Sequence, residues 1–219
     1  MVTFPTNYLS FFREKIINLF FKAKVDVEFK VLSPNCHKTR IKLIQETKQI
    51  IGLDDMSMPY CYYYRLKINS LNNIAPKKLE LMITKKLQKN GDEFEEDKSF
   101  LPMSLVWSHY RTSVLEHIPP KLFKFCDFGY IIDPNYTQIT TQQYITPSQQ
   151  GEIVLDMDLE VRPYTGSSLL RTGVYRFELV LTGNNIKNLH KTFEINLPKY
   201  WSVSEKEMFN NGLSIKEIT

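Results

Sequence analysis

The chain has 219 residues, 28 of them basic and 24 acidic, for a formal charge of +4, and it is 42% hydrophobic and 13% aromatic. That hydrophobic fraction excludes a disordered tail, and the near-balance of charge argues against a nucleic-acid binder. A chain of this length can bury a sizeable core without disulfide staples, and three irregularly spaced cysteines (Cys36, Cys61 and Cys126) describe no disulfide framework.

A reducing compartment suits free cysteines. No uninterrupted apolar stretch reaches the roughly 20 residues that span a bilayer. The N-terminus lacks the charged start, apolar core and cleavage site of a signal peptide. The expected location is cytoplasmic, with peripheral contact to a membrane's cytoplasmic side kept open.

Asn7 to Lys24 opens the chain with helical spacing. Leu9, Phe12, Ile16, Leu19 and Phe20 recur at three- and four-residue steps, and Phe11, Ile17 and Phe21 widen the apolar face. The spacing predicts an amphipathic helix that docks on its own domain or covers a partner or membrane surface. From Val25 the period changes to two. Val25–Val31, Tyr62–Asn69, Leu79–Lys85, Ile153–Val161, Gly173–Thr182 and Thr192–Leu197 alternate apolar and polar residues, which is the signature of half-buried strands. Leu105–Trp107 and Leu122–Phe128 read as further strands, separated by the rigid Ile118-Pro119-Pro120 turn. Tyr62–Asn69 and Leu79–Lys85 are expected to be neighbours, because sequential strands usually lie close together, and Pro76 between them suits an edge or a crossing. Ile41–Ile51 is ambiguous between strand and helix. Asn90–Ser99 and Pro134–Gln150 read as loops. Ser204-Glu205-Lys206-Glu207 has capping-box spacing and predicts a short helix over Glu205–Asn210, stopped by Asn211-Gly212. The expectation is one mainly β domain over 25–219, an antiparallel sandwich of about seven to nine strands, preceded by the helix of 1–24.

Signs of chemistry are few. There is no glycine-rich phosphate loop, no Gly-x-Ser-x-Gly elbow and no paired-cysteine or His-Glu-x-x-His zinc signature. His109, His117 and Cys126 with Asp127 are the residues from which a zinc site or an activated thiol could be assembled. Without ligand spacing, Cys126 reads more simply as a small buried residue. Asp156, Asp158 and Glu160 alternate on one strand, where a solvent-facing edge explains them better than a calcium site.

Tyr60, Tyr62, Tyr63 and Tyr64 form the densest aromatic patch. Two of them must face inward. Tyr63, on the row of Arg65 and Lys67, is the one that could line a binding surface or stack on a base or sugar, although a plain aromatic cross-strand pair is the simpler account of it. The expected binding residues are therefore Phe11, Phe12, Phe20 and Phe21 on the helix, and Tyr63 and Arg65 on the sheet. The expected activity is non-catalytic recognition of a protein partner or self-association, without a cofactor. A metal- or thiol-dependent enzyme using Cys126, His117 and His109, and a carbohydrate-binding sandwich, stand as alternatives.

Leu66-Lys67-Ile68-Asn69, then Ala75, then Leu79-Glu80-Leu81 resembles a pattern in bacterial and archaeal immunoglobulin-like sandwiches of the adhesion-related kind. Gly173-Val174-Tyr175-Arg176-Phe177 fits a late strand of the same domain, although Ser70 stands where a glycine usually follows the asparagine. Leu105-Val106-Trp107-Ser108, Ile118-Pro119 and the Trp201 tail resemble an uncharacterised prokaryotic protein family whose members carry such a sandwich. The resemblance implies an immunoglobulin-like fold and no particular chemistry.

Overall fold

The period-two segments at 62–69, 79–85, 173–182 and 192–197 become strands with one buried row each, as the pleat requires. The structure, a computed structural model, describes residues 22–40, 60–134, 152–161, 166–210 and 213–218. In chain order the elements are β1 (Val25–Glu28), β2 (Cys36–Arg40), β3 (Tyr60–Ser70), β4 (Lys77–Asn90), β5 (Glu93–Glu96), β6 (Met103–Ser104), β7 (Val106–Trp107), β8 (Val114–His117), β9 (Phe123–Ile132), β10 (Leu155–Met157), β11 (Leu169–Leu170), β12 (Gly173–Thr182), β13 (Leu189–Leu197), the helix α1 (Glu205–Asn210) and β14 (Ser214–Ile218). They form two antiparallel sheets. The first runs β1-β3-β9-β10-β11, with β2 also on β3 and β7 on β9. The second runs β14-β13-β12-β4-β5, with β6 and β8 also on β4.

Tyr62, Tyr64, Leu66 and Ile68 of β3 form the inward row of the first sheet. Leu79, Leu81 and Ile83 of β4 and Phe177, Leu179 and Leu181 of β12 supply that of the second, and all are buried. Phe29, Phe128, Phe177 and Phe193 join the sheets through the middle. Ring centroids lie 5.0 Å apart for Phe29–Phe128, 5.3 Å for Phe128–Phe177 and 5.7 Å for Phe29–Phe193. Tilted and edge-on pairs of this kind add about 0.5–1.5 kcal/mol each beyond their buried area. Trp107 is fully buried, its indole N–H donating to the Ser113 carbonyl at 3.0 Å.

Several expectations are corrected. β3 and β4 are not paired neighbours; they belong to different sheets, and Ala75-Pro76 lies in the crossing between them. Their apolar rows face each other across the sandwich instead of lying side by side. The acidic segment expected as a loop contains β5, which pairs with the end of β4. Strand segments outnumber the expected seven to nine, because β2, β5, β6, β8, β11 and β14, two to five residues long, are too short to show a readable period. Only Leu155–Met157 of the long alternation at 153–161 is strand. The helix of Asn7–Lys24 lies outside the described residues except for its last three. Those are not helical: Ala23 makes a parallel bridge to Ile186. The 41–51 segment and the Asn211-Gly212 stop also fall outside the described residues.

At the other end of the chain, α1 has the predicted bounds. Ser204 Oγ accepts from the Glu207 N–H at 3.4 Å, as the capping pattern requires. The carboxylate of Glu207 accepts the Ser202 hydroxyl at 2.8 Å. Met208 is the buried residue of this helix, and Trp201 and Phe209 cover Tyr62, whose hydroxyl donates to the Ser202 carbonyl at 2.7 Å.

Candidate binding surface

Tyr63, Arg65 and Lys67 of β3 point away from the core, beside the outward row Phe123, Phe125 and Asp127 of β9. In the register of these strands Arg65 lies opposite Asp127 and Lys67 opposite Phe125. Each cation leans diagonally over the aromatic ring two residues earlier on β9. Arg65 sits 4.3 Å from the Phe125 centroid and Lys67 Nζ 4.4 Å from that of Phe123. Tyr63 flanks the guanidinium at 5.9 Å, and His37 of β2 meets the Tyr63 ring edge-on at 6.1 Å. Diagonal neighbours on a sheet face are within reach of long and aromatic side chains, and a cation over a ring face is attracted by its quadrupole. Arg65 Nη2 donates to the Pro34 carbonyl at 2.6 Å, while its Nε–H is buried without a partner among the described residues.

A buried acidic layer lies next to this row. A β-bulge shifts the β3–β9 register between Tyr64 and Arg65, leaving Phe128 as the extra residue on β9. Gly129 follows, and a Cβ there would stand 2.4 Å from the Asp156 carbonyl oxygen, so only glycine lets β10 approach this closely. Asp127, 2% exposed, accepts hydrogen bonds from the Ser108 and Tyr63 hydroxyls. Burial raises its pKa above the ordinary carboxylate value despite those two bonds. The Tyr63 phenol is likewise pushed up, by burial first and then by the Asp127 charge.

Asp156 and Asp158 are buried, which corrects the expectation of a solvent-facing edge; Glu160 alone is exposed. Asp156 accepts from the Tyr130 hydroxyl at 3.2 Å, and Asp158 from Arg111 Nη1 at 2.6 Å. The turn that carries Arg111 is wound tightly on the Trp107 carbonyl, which accepts from the Tyr110 and Arg111 N–H groups at 3.1 Å. The strand alternation could have revealed these acids, but nothing in it shows that a distant turn covers them.

The residues of the enzyme alternative are not brought together. Cys126 points into the core, its thiol donating to the Val106 carbonyl at 3.3 Å, and burial holds its pKa well above that of a free thiol. His117 lies on β8 of the second sheet and His109 on an exposed turn of the first. A thiol protonated at neutral pH is neither a nucleophile nor a metal ligand. Among the described residues no group of three or more His, Cys, Asp or Glu side chains could hold a metal ion. None of the described helices is long and apolar enough to cross a membrane. Phe11, Phe12, Phe20 and Phe21 lie outside the described residues.

Fold and surface together define a mainly β protein of two antiparallel sheets packed as a sandwich, with an aromatic and cationic face outside the first sheet and no positive sign of catalysis. Comparisons with protein-family models, with curated proteins and with solved structures found no significant match to the chain.

Proposed function

We propose that the protein is a non-catalytic binding module that recognises a protein partner through the outer face of its first sheet. The observation that carries this reading is the pair of cations laid on aromatic rings, Arg65 on Phe125 and Lys67 on Phe123. Tyrosine, phenylalanine and arginine are the residue types that dominate protein interfaces, because they combine large contact area with polar reach. Arg65 is held by its bond to the Pro34 carbonyl, so less of its side-chain freedom remains to be lost on binding. On the outside of the second sheet Arg176 also lies over a ring, 3.7 Å from the Phe94 centroid, but there Arg176 pairs with Glu194 and Lys85 with Glu178, so those cations are matched by carboxylates.

A photo-crosslinking phenylalanine analogue at Phe123, compared with one at Glu178, tests the reading in cells. A discrete protein adduct from Phe123 alone, lost when Arg65→Glu is added, is expected. Equal adducts from both positions, or none from Phe123, would overturn it.

A further inference from the structure

One end of the sandwich is formed by four neighbouring stretches, 22–24, 71–78, 118–122 and 183–188. Together they carry Lys22, Lys24, Lys77, Lys78, Lys121 and Lys187 and not one Asp or Glu. The nearby Glu116 is engaged by Lys78 at 2.5 Å. Two large apolar side chains, Leu71 and Leu122, stand out from this end at 49% and 55% exposure. The opposite end has the reverse charge. β4 begins at Lys77 and runs 14 residues to Asn90, where the β4–β5 hairpin carries Asp92, Glu93, Glu95, Glu96 and Asp97. At about 3.3 Å per residue the two charge clusters are separated by roughly 40 Å.

This basic end is preorganised. Asn72 accepts from the Lys24 N–H at 3.2 Å and donates to the Lys22 carbonyl at 3.1 Å. Asn185 accepts from the Lys77 N–H and donates to the Ala75 carbonyl, both at 2.9 Å, while its own carbonyl accepts from Ala23 at 2.8 Å. Lys121 Nζ donates to the Leu71 carbonyl at 2.8 Å, and the Ser70 N–H donates to the Leu122 carbonyl at 2.8 Å, so the two apolar tips are fixed side by side.

We infer that this end docks on an anionic phospholipid surface, with Leu71 and Leu122 at headgroup depth and the lysines around them against the lipid phosphates. Charge complementarity carries the choice of occupant. A cluster of six lysines, with Glu116 on Lys78 as a neighbouring carboxylate, carries net positive charge among the described residues and is drawn to an anionic leaflet; the acidic far end is repelled from it, and the resulting dipole sets the orientation. Apolar tips ringed by lysine are the amphipathic arrangement that an interface accepts. This end adjoins the Tyr63–Arg65 face where Leu122 meets Phe123, so the lysine variants Lys121→Gln and Lys187→Gln, which lie off that face, separate failure of this inference from failure of the partner reading.

Co-sedimentation of the full chain with phosphatidylcholine vesicles containing phosphatidylserine, and with phosphatidylcholine alone, tests the inference. Binding to the serine-containing vesicles only, weakened by added salt, is expected. Each lysine near the surface contributes about fivefold to partitioning, so Lys121→Gln with Lys187→Gln should weaken binding about 25-fold. Leu71→Ser with Leu122→Ser should weaken it further, whereas Lys98→Gln beside the acidic hairpin should change nothing. Far-ultraviolet circular dichroism and the thermal midpoint verify folding, and Lys24→Gln serves if the double variant is unstable. The inference is overturned if the wild type ignores phosphatidylserine, if the lysine variants bind like wild type, or if duplex DNA or polyglutamate binds and the vesicles do not.

Discussion

Arg111 and Asp158 meet through a 2.6 Å charge-assisted hydrogen bond, although the guanidinium side chain is 65% exposed and the carboxylate side chain 10%. The exposed partner therefore serves the buried one: it covers a carboxylate that the fold has drawn beneath the 108–111 turn. The Arg111 backbone adopts a left-handed conformation, with φ at 55°, to reach it.

Removing Arg111 should matter more than removing an ordinary surface arginine. Arg111→Ala leaves the Asp158 carboxylate with less of its compensation and is expected to cost about 1–3 kcal/mol. An exposed ion pair elsewhere, such as Lys85–Glu178, should cost at most about 1 kcal/mol when broken by Lys85→Ala. Equilibrium urea unfolding of the two variants measures the contrast. Equal losses would show that Asp158 is hydrated well enough without the arginine.

Asp127 supplies a pH test. Its folded pKa is raised by burial, so over a window above the ordinary carboxylate value the folded state keeps a proton that the unfolded chain has released. Stability from this group is full below the unfolded pKa and is lost as pH rises through the folded one. Asp127→Asn removes the titration while retaining an acceptor for Ser108 and Tyr63. Relative to wild type, the variant should gain stability between about pH 4 and about pH 7. Paired denaturation curves at the two pH values check this, and a difference that does not change with pH would contradict it.

The three cysteines should be silent in the native protein. All are buried and free. Burial pushes Cys61 up to about 12 and raises Cys36 and Cys126 as well. The thiolate is the reactive form, so native protein at about pH 8 should consume almost no aromatic disulfide reagent. Denatured protein should consume one equivalent for each of its 3 cysteines. Rapid native labelling at Cys126 would reopen the thiol chemistry that its position in the core speaks against.

Much of the fold could be read from periodicity because β3, β4, β12 and β13 are long enough to repeat it several times. Tyr62 and Tyr64 inward and Tyr63 outward follow from alternation alone, and so does the shared face of Tyr63 and Arg65. What periodicity could not supply is the partner of each strand. β3 and β4 have matching apolar rows whether they lie side by side or face to face, and only the crossing at Ala75-Pro76 decides between these. The acidic layer was hidden for a related reason. Asp127 on its strand and Asp158 just past the end of β10 look like surface residues by alternation, and Ser108 and Arg111, from a turn with no pattern of its own, meet them. β6, β7 and β11 have two residues each and carry no period to read.

Lys86 and Asp97 make the last prediction, and an asymmetric one. Lys86 Nζ lies 2.9 Å from the Asp97 carboxylate and donates to the Ser167 carbonyl at 2.9 Å, with its side chain 7% exposed against 25% for Asp97. Burial raises the Asp97 pKa, but the Ser99 and Lys86 hydrogen bonds outweigh it, and the net direction is down. Asp97→Ala strands a buried ammonium with one neutral acceptor and should cost about 3 kcal/mol or more. Lys86→Met removes the charge, nearly conserves volume, and leaves Asp97 hydrated and still bonded to the Ser99 hydroxyl and N–H. It should cost clearly less, because a buried ion pair replaced by an apolar group forfeits its desolvation penalty along with its attraction. A group with a lowered folded pKa contributes stability above its unfolded pKa and loses it as pH falls through the folded one, so the Asp97→Ala penalty should shrink in acid. Unfolding free energies of both variants, at neutral pH and near pH 3, test the order and the trend together; a larger loss from Lys86→Met would mean that the lysine stem's packing, not its charge, is what this site requires.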